Sequence, residues 1–154
     1  MNKIKNILMP TDFSRMSLAA AEYALDLAEK YNAKVHVLHV LEKTPPILTI
    51  RSLDLSEEKI IKSIEKDARN SLKTVIEQIS RPGGPEITSS IVKGIDHEEI
   101  VRFTKEHKID LVVIATHGRT GIMYTLLGSV AEKVIKYSKC PVLVVTPLKP
   151  KKKN

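Results

Sequence analysis

The stretch "DLVVIATHGRTGIMYTLLGSVAEKVI", Asp110 to Ile135, decides how this chain folds. It opens on an apolar run, "DLVVIA" (Asp110 to Ala115), that reads as a short buried strand. It closes on "GSVAEKVI", where Ser129 and Glu132 have the S-x-x-E spacing of a capping box at a helix start. Between them lies a loop holding His117, Gly118, Arg119 and Gly121. Strand, glycine-containing loop and helix in that order belong to a βαβ unit. The rest of the chain repeats the alternation.

Upstream, "IKNILM" (Ile4 to Met9) reads as a strand. A helix follows over "SLAAAEYALDLAEKY", with Leu18, Ala21, Leu25 and Ala28 at helical spacing and Ser14 or Ser17 placed to cap it. "KVHVLHVL" (Lys34 to Leu41) is the second strand. An irregular connection with Pro45 and Pro46 leads to a long amphipathic helix over 57–79, striped by Ile61, Ile64, Ala68, Leu72, Val75 and Ile79. "EITSSIV" (Glu86 to Val92) alternates as a half-exposed strand does. "GIDHEEI" predicts a helix with Asp96 as N-cap, Glu99 as its capping-box partner, and Ile95 and Ile100 as a hydrophobic staple. That helix runs to about His107, and "PVLVV" (Pro141 to Val145) is the fifth strand.

Alternating strands and helices predict an α/β fold: an open, five-stranded, mainly parallel sheet with helices on both faces. Right-handed crossovers favour the order 3-2-1-4-5. Strands 1 and 4 then lie side by side while their chains leave to opposite faces. Ligands bind such sheets at that switch point, beyond the strand C-terminal ends. The two loops emerging there are "PTDFS" (Pro10 to Ser14) and the loop of the opening stretch.

At 154 residues the chain suits one domain, expected over 1–147, with a basic, disordered tail over 148–154. Four of the seven net positive charges sit in that tail, leaving a body only mildly basic. With no tryptophan and 4% aromatic residues, nucleic acid is an unlikely ligand. No apolar run is long enough for a membrane span, and the N-terminus lacks a cleavage pattern, so a cytoplasmic protein is expected. Cys140 is the only cysteine, which excludes an internal disulfide and reads as structural. His36 and His39 fall on opposite faces of their strand, so no metal site is expected. The chain has no P-loop, no dinucleotide fingerprint and no nucleophile elbow.

The loop of the opening stretch admits two readings on spacing alone. Gly118 and Gly121 allow close backbone approach. A helix starting at Ser129 aims free N–H groups and the positive end of its dipole at the loop, with Arg119 and His117 able to add charge. That is an anion cradle. The other reading is a glycine-containing turn before an ordinary capped helix. Asp12, closing the first strand, is either an acceptor for a ribose or adenine amino group or a turn residue.

The chain resembles the universal stress protein family from Ile4 to about Thr146, through "ILMPTDFS", "HVLHV" and "THGRTG…LLGSVAEKVI…CPVLVV". Some members of that family bind ATP through G-x-x-G-x9-G-[ST]. Gly118, Gly128 and Ser129 match it, and Ala115 replaces its first glycine. The resemblance implies a nucleotide site built from Pro10, Thr11, Asp12, Val40, Ala115, His117, Gly118, Arg119, Gly128, Ser129 and Val130. Asp12 would contact adenine or ribose, and the backbone near Val40 would contact adenine. Gly118, Arg119, Gly128, Ser129 and Val130 would hold the phosphates. ATP is the favoured ligand, with AMP or another adenine nucleotide as the alternative, and a divalent cation such as Mg or Mn is left open.

The resemblance also implies a homodimer through the C-terminal strand Pro141 to Val145, in a nucleotide-dependent regulatory module with an unknown protein partner. An apolar strand at a sheet edge needs covering or pairing, which agrees. Two further readings stand beside this one. The first is a dimer that binds no nucleotide, which Ala115 favours. The second is a slow ATPase: no catalytic residue is assigned and His117 is the one candidate base, so at most weak hydrolysis is expected.

Overall fold

A computed structural model describes residues 3–43, 56–116 and 127–147. Strands β1 (Asn6–Pro10), β2 (Lys34–Leu41), β3 (Ile87–Lys93), β4 (Leu111–Ala115) and β5 (Val142–Val145) form one sheet in the order β3-β2-β1-β4-β5. Every pairing is parallel. The expected fold class and strand order are therefore what the chain adopts. The tail over 148–154 lies outside the described residues.

Parallel strands covered on both faces are apolar at nearly every position, as "ILMP" and "LVVIA" are, with all nine residues buried. On one face Ile7, Met9, Val35, Val37, Leu111 and Val113 pack against α1 (Ala20–Tyr31) and α2 (Glu57–Ile79). On the other, Leu8, Leu38, Val112 and Ile114 pack with Ile100 and Phe103 of α3 (Asp96–Glu106) and Ala131 and Val134 of α4 (Ser129–Tyr137). Among the described residues, no helix is long and apolar enough to cross a membrane.

The helix starts depart from expectation in a consistent way. Ile95, not Asp96, is the N-cap of α3, and no side chain caps it. Gly94 turns the chain straight out of β3, so the helix begins one residue early. The Glu99 carboxylate then pairs with Arg102 instead of closing a capping box. Ile95 is exposed while Ile100 is buried, so they do not staple the helix. Likewise Gly128, not Ser129, caps α4, again without a side-chain bond. For the first helix Ser14 does act: its Oγ accepts from the Ser17 N–H at 3.1 Å, opening a 3-10 turn over Ser17–Ala19 that runs into α1.

His36, half-buried on the α3 face, is hydrogen-bonded through both ring nitrogens. Asn6 Nδ2 donates to the Lys108 carbonyl, which leaves Asn6 Oδ1 to accept from His36 Nε2 at 3.3 Å. His36 Nδ1 accordingly accepts from the Thr88 hydroxyl at 2.7 Å. Burial pushes the His36 pKa down; the nearby His107 and Lys34 push it the same way, and Glu86 opposes them. A depressed folded pKa means that this contribution to stability is present above the ordinary value of 6.5 and is lost as pH falls through the lower folded value. Thermal midpoints measured from pH 7.5 to about 5 should fall less steeply for His36→Gln than for the parent chain. Equal slopes would remove His36 from the acid response.

Candidate functional site

The β1–β4 ladder pairs Ile7 with Leu111 and Leu8 with Val112 and goes no further. Both strands nevertheless continue, to Pro10 and Ala115. Pro10 has no N–H to offer a ladder. The two strands therefore stop pairing as they approach their C-terminal ends. This is the switch point: β1 leads to α1 on one face and β4 leads to α4 on the other. The crevice that topology predicts is visible in the pairing itself.

One wall is the loop after β1, and it is tightly held. Thr11 is buried, its N–H donating to the Leu38 carbonyl at 2.8 Å. Its hydroxyl meets the Ser17 hydroxyl at 2.9 Å and accepts from the Phe13 N–H at 3.0 Å. His39 Nδ1 donates to the Thr11 carbonyl at 2.8 Å, and the His39 ring stacks on Phe13 at 4.0 Å. These contacts hold Phe13 at φ 68°, a left-handed conformation that costs a non-glycine residue about 1–2 kcal/mol. Asp12 completes the wall, its Oδ1 accepting from the Ser14 N–H at 2.9 Å in an Asx turn.

The other wall is where the opening stretch returns. Gly128 N donates to the Thr116 carbonyl at 2.6 Å, so the loop between them begins and ends at one place. The start of α4 is thereby fastened to the end of β4. Val130 is half-buried and Ser129 exposed in its first turn. Unpaired N–H groups and the positive dipole end at this spot favour an anion.

The charges around the crevice are unequal. Asp96, at the start of α3, has its pKa raised, by burial first and then by Glu42 and Asp12, with His39 and His97 opposing. The carboxyl groups of Glu42 and Asp12 are thus near enough to act on Asp96 through their charge. Among the described residues, no three metal-ligating side chains stand together. Cys140 is half-buried against the α3 and α4 core, and burial raises its pKa, which suits a structural thiol.

Of the residues expected at the site, Pro10, Thr11, Asp12, Ala115, Gly128, Ser129 and Val130 all lie at the ends of β1 and β4 or at the start of α4. Val40 lies on β2, paired in register with Val92. His117, Gly118 and Arg119 lie outside the described residues. Ala115 is an ordinary strand residue paired with Val145 and buried on the α1 face. Thr116 was not expected, although a hydroxyl residue directly after an apolar strand end is a signal for it. It is buried, and among the described residues its Oγ1 has no hydrogen-bond partner.

The model of the universal stress protein family matches residues 3–146. The chain belongs to the universal stress protein family. Similar members include universal stress protein MJ0531 of Methanocaldococcus jannaschii, 38% identical over 151 residues, which cover 98% of this chain and 86% of that protein. MJ0577 of the same organism is 32% identical over 153 residues, covering 92% of this chain and 94% of its own length. Its solved structure superposes with a TM-score of 0.79, covering 97% of this chain and all of that one. A universal stress protein solved in complex with cAMP is 26% identical, with a TM-score of 0.67, covering 94% of this chain and 98% of that one.

Proposed function

We propose that this universal stress protein binds an adenine nucleotide in the crevice between β1 and β4, with ATP as the favoured ligand and AMP as the alternative. The observation that carries the reading is the Gly128–Thr116 hydrogen bond, which brings a helix N-terminus to the point where β1 and β4 cease to pair. The nucleoside lies toward Asp12 and the backbone near Val40. The phosphates lie toward Gly128, Ser129 and Val130. Gly118, Arg119 and His117 complete the phosphate side in this reading. A relative solved with cAMP supports an adenine ligand for the site. Ala115 does not argue against it: its strand conformation needs no glycine, and its methyl is buried on the α1 face. The described residues supply no metal-ligand cluster, so a divalent cation such as Mg or Mn would arrive held by the phosphates.

The protein acts as a cytoplasmic, nucleotide-dependent regulatory module, with at most weak hydrolysis. It assembles as a homodimer through β5. That strand pairs with β4 and stands at the edge of the sheet with Val142, Leu143 and Val144 only half-buried. Such an edge is closed by pairing with its copy about a two-fold axis. Native mass spectrometry of the freshly purified chain, with and without added ATP, tests ligand and stoichiometry together. A dimer carrying one adenine nucleotide per chain is the expected species. A monomer that takes up neither ATP nor AMP would sink the proposal.

A further inference from the structure

Thr116 stands at the position the proposed function leaves unused. It is 4% exposed, and among the described residues its hydroxyl has no hydrogen-bond partner. A buried hydroxyl without a partner is costly, and most native examples are satisfied by protein or water. The neighbouring hydroxyls show the contrast: Thr11 Oγ1 and Ser17 Oγ satisfy each other and the loop around them. The main chain of Thr116 is fully used as well. Its N–H donates to the Val145 carbonyl at 2.9 Å, and its carbonyl accepts from Gly128. Only the side-chain oxygen is left over, and it belongs to the residue bonded to the N-cap of α4. Thr116 directly follows Ala115, the last residue of β4.

We infer that Thr116 is a ligand-binding residue whose hydroxyl donates to a phosphate oxygen held at the N-terminus of α4. The inference rests on the adenine-nucleotide reading and assigns to it a side-chain donor at a variable position between Ala115 and Gly118. A hydroxyl stranded in the free protein and satisfied by a phosphate makes a clear signature. Removing it should help the free protein and harm the complex.

Thr116→Val removes the hydroxyl at nearly constant shape. The expected result is an unchanged or higher thermal midpoint without ligand, together with roughly tenfold weaker binding of ATP by titration calorimetry. Adenosine, which has no phosphate, should bind the variant and the parent equally. Thr116→Ser keeps the donor and should restore ATP affinity to within about threefold of the parent. It also provides a second reading should the valine variant fold poorly. If the parent binds ATP and Thr116→Val binds it as tightly, the inference falls while the nucleotide reading stands. If adenosine affinity drops as much as ATP affinity, Thr116 serves the nucleoside end and the inference is overturned. If the parent binds neither ATP nor AMP, both fall together.

Discussion

Gly128→Val is expected to abolish nucleotide binding while leaving the free protein folded. The separation follows from the backbone. Gly128 has φ −70° and ψ 154°, an extended conformation open to any residue. Its N–H bonds to the Thr116 carbonyl, a bond that valine makes equally well. The fold therefore does not require glycine here, and a branched side chain at an N-cap costs only about 1 kcal/mol. In the proposed site, glycine leaves a phosphate room to approach the N–H groups of the first turn of α4 closely. A Val side chain fills that space. Binding of ATP should weaken by at least about a hundredfold, which corresponds to roughly 2.7 kcal/mol. Circular dichroism and the thermal midpoint should remain close to the parent. A dissociation constant within about threefold of the parent would place the phosphates elsewhere. A collapsed midpoint would make Gly128 a folding residue instead.

The parts of this molecule legible in the sequence are those governed by periodicity and chain order. Unbroken apolar runs such as "LVVIA" demand burial on both sides, and their alternation with amphipathic helices leaves little choice but a covered parallel sheet. The switch point follows from that order, so Asp12, Ala115 and Gly128 were placed correctly at the ends of β1 and β4 and the start of α4. Helix boundaries were less legible. Side-chain spacing points to two capping boxes, yet Ile95 and Gly128 cap their helices without a side-chain bond. The deciding factors were the turn at Gly94 and the bond from Gly128 to Thr116, and spacing encodes neither. Thr116 was missed for a related reason. Its interest lies in being buried without a partner, a property of three-dimensional packing and not of residue type. The effect of Glu42 and Asp12 on Asp96 is likewise tertiary: the three follow three different strands and share no motif.

Gly94→Ala should be among the most damaging single substitutions outside the site, costing about 2–3 kcal/mol. Gly94 carries the chain from β3 into α3 at φ 158°, a value side-chain-bearing residues rarely adopt. Its N–H is committed to the Leu41 carbonyl at 2.9 Å, so the main chain is not free to shift. A Cβ added there would lie 2.6 Å from Glu99 Cγ and 2.7 Å from its Cδ. These atoms are not the loose end of a surface side chain. Glu99 is buried in the first turn of α3, its carboxylate paired with Arg102. Relief therefore means either turning the Glu99 carboxylate away from Arg102 or moving the start of α3, and with it Ile100 and Phe103 in the core. In a chain of this size the cost corresponds to a fall of about 5–10 °C in the thermal midpoint. A double-mutant cycle isolates the cause. Glu99→Ala is destabilising by itself, because it removes a buried paired side chain. It also empties the space the new methyl needs, so the double variant should cost clearly less than the two single losses together. Strict additivity would show that the backbone angle alone carries the penalty. A loss below about 0.5 kcal/mol for Gly94→Ala would mean that Glu99 yields freely, and that the route from β3 into α3 is not set by this contact.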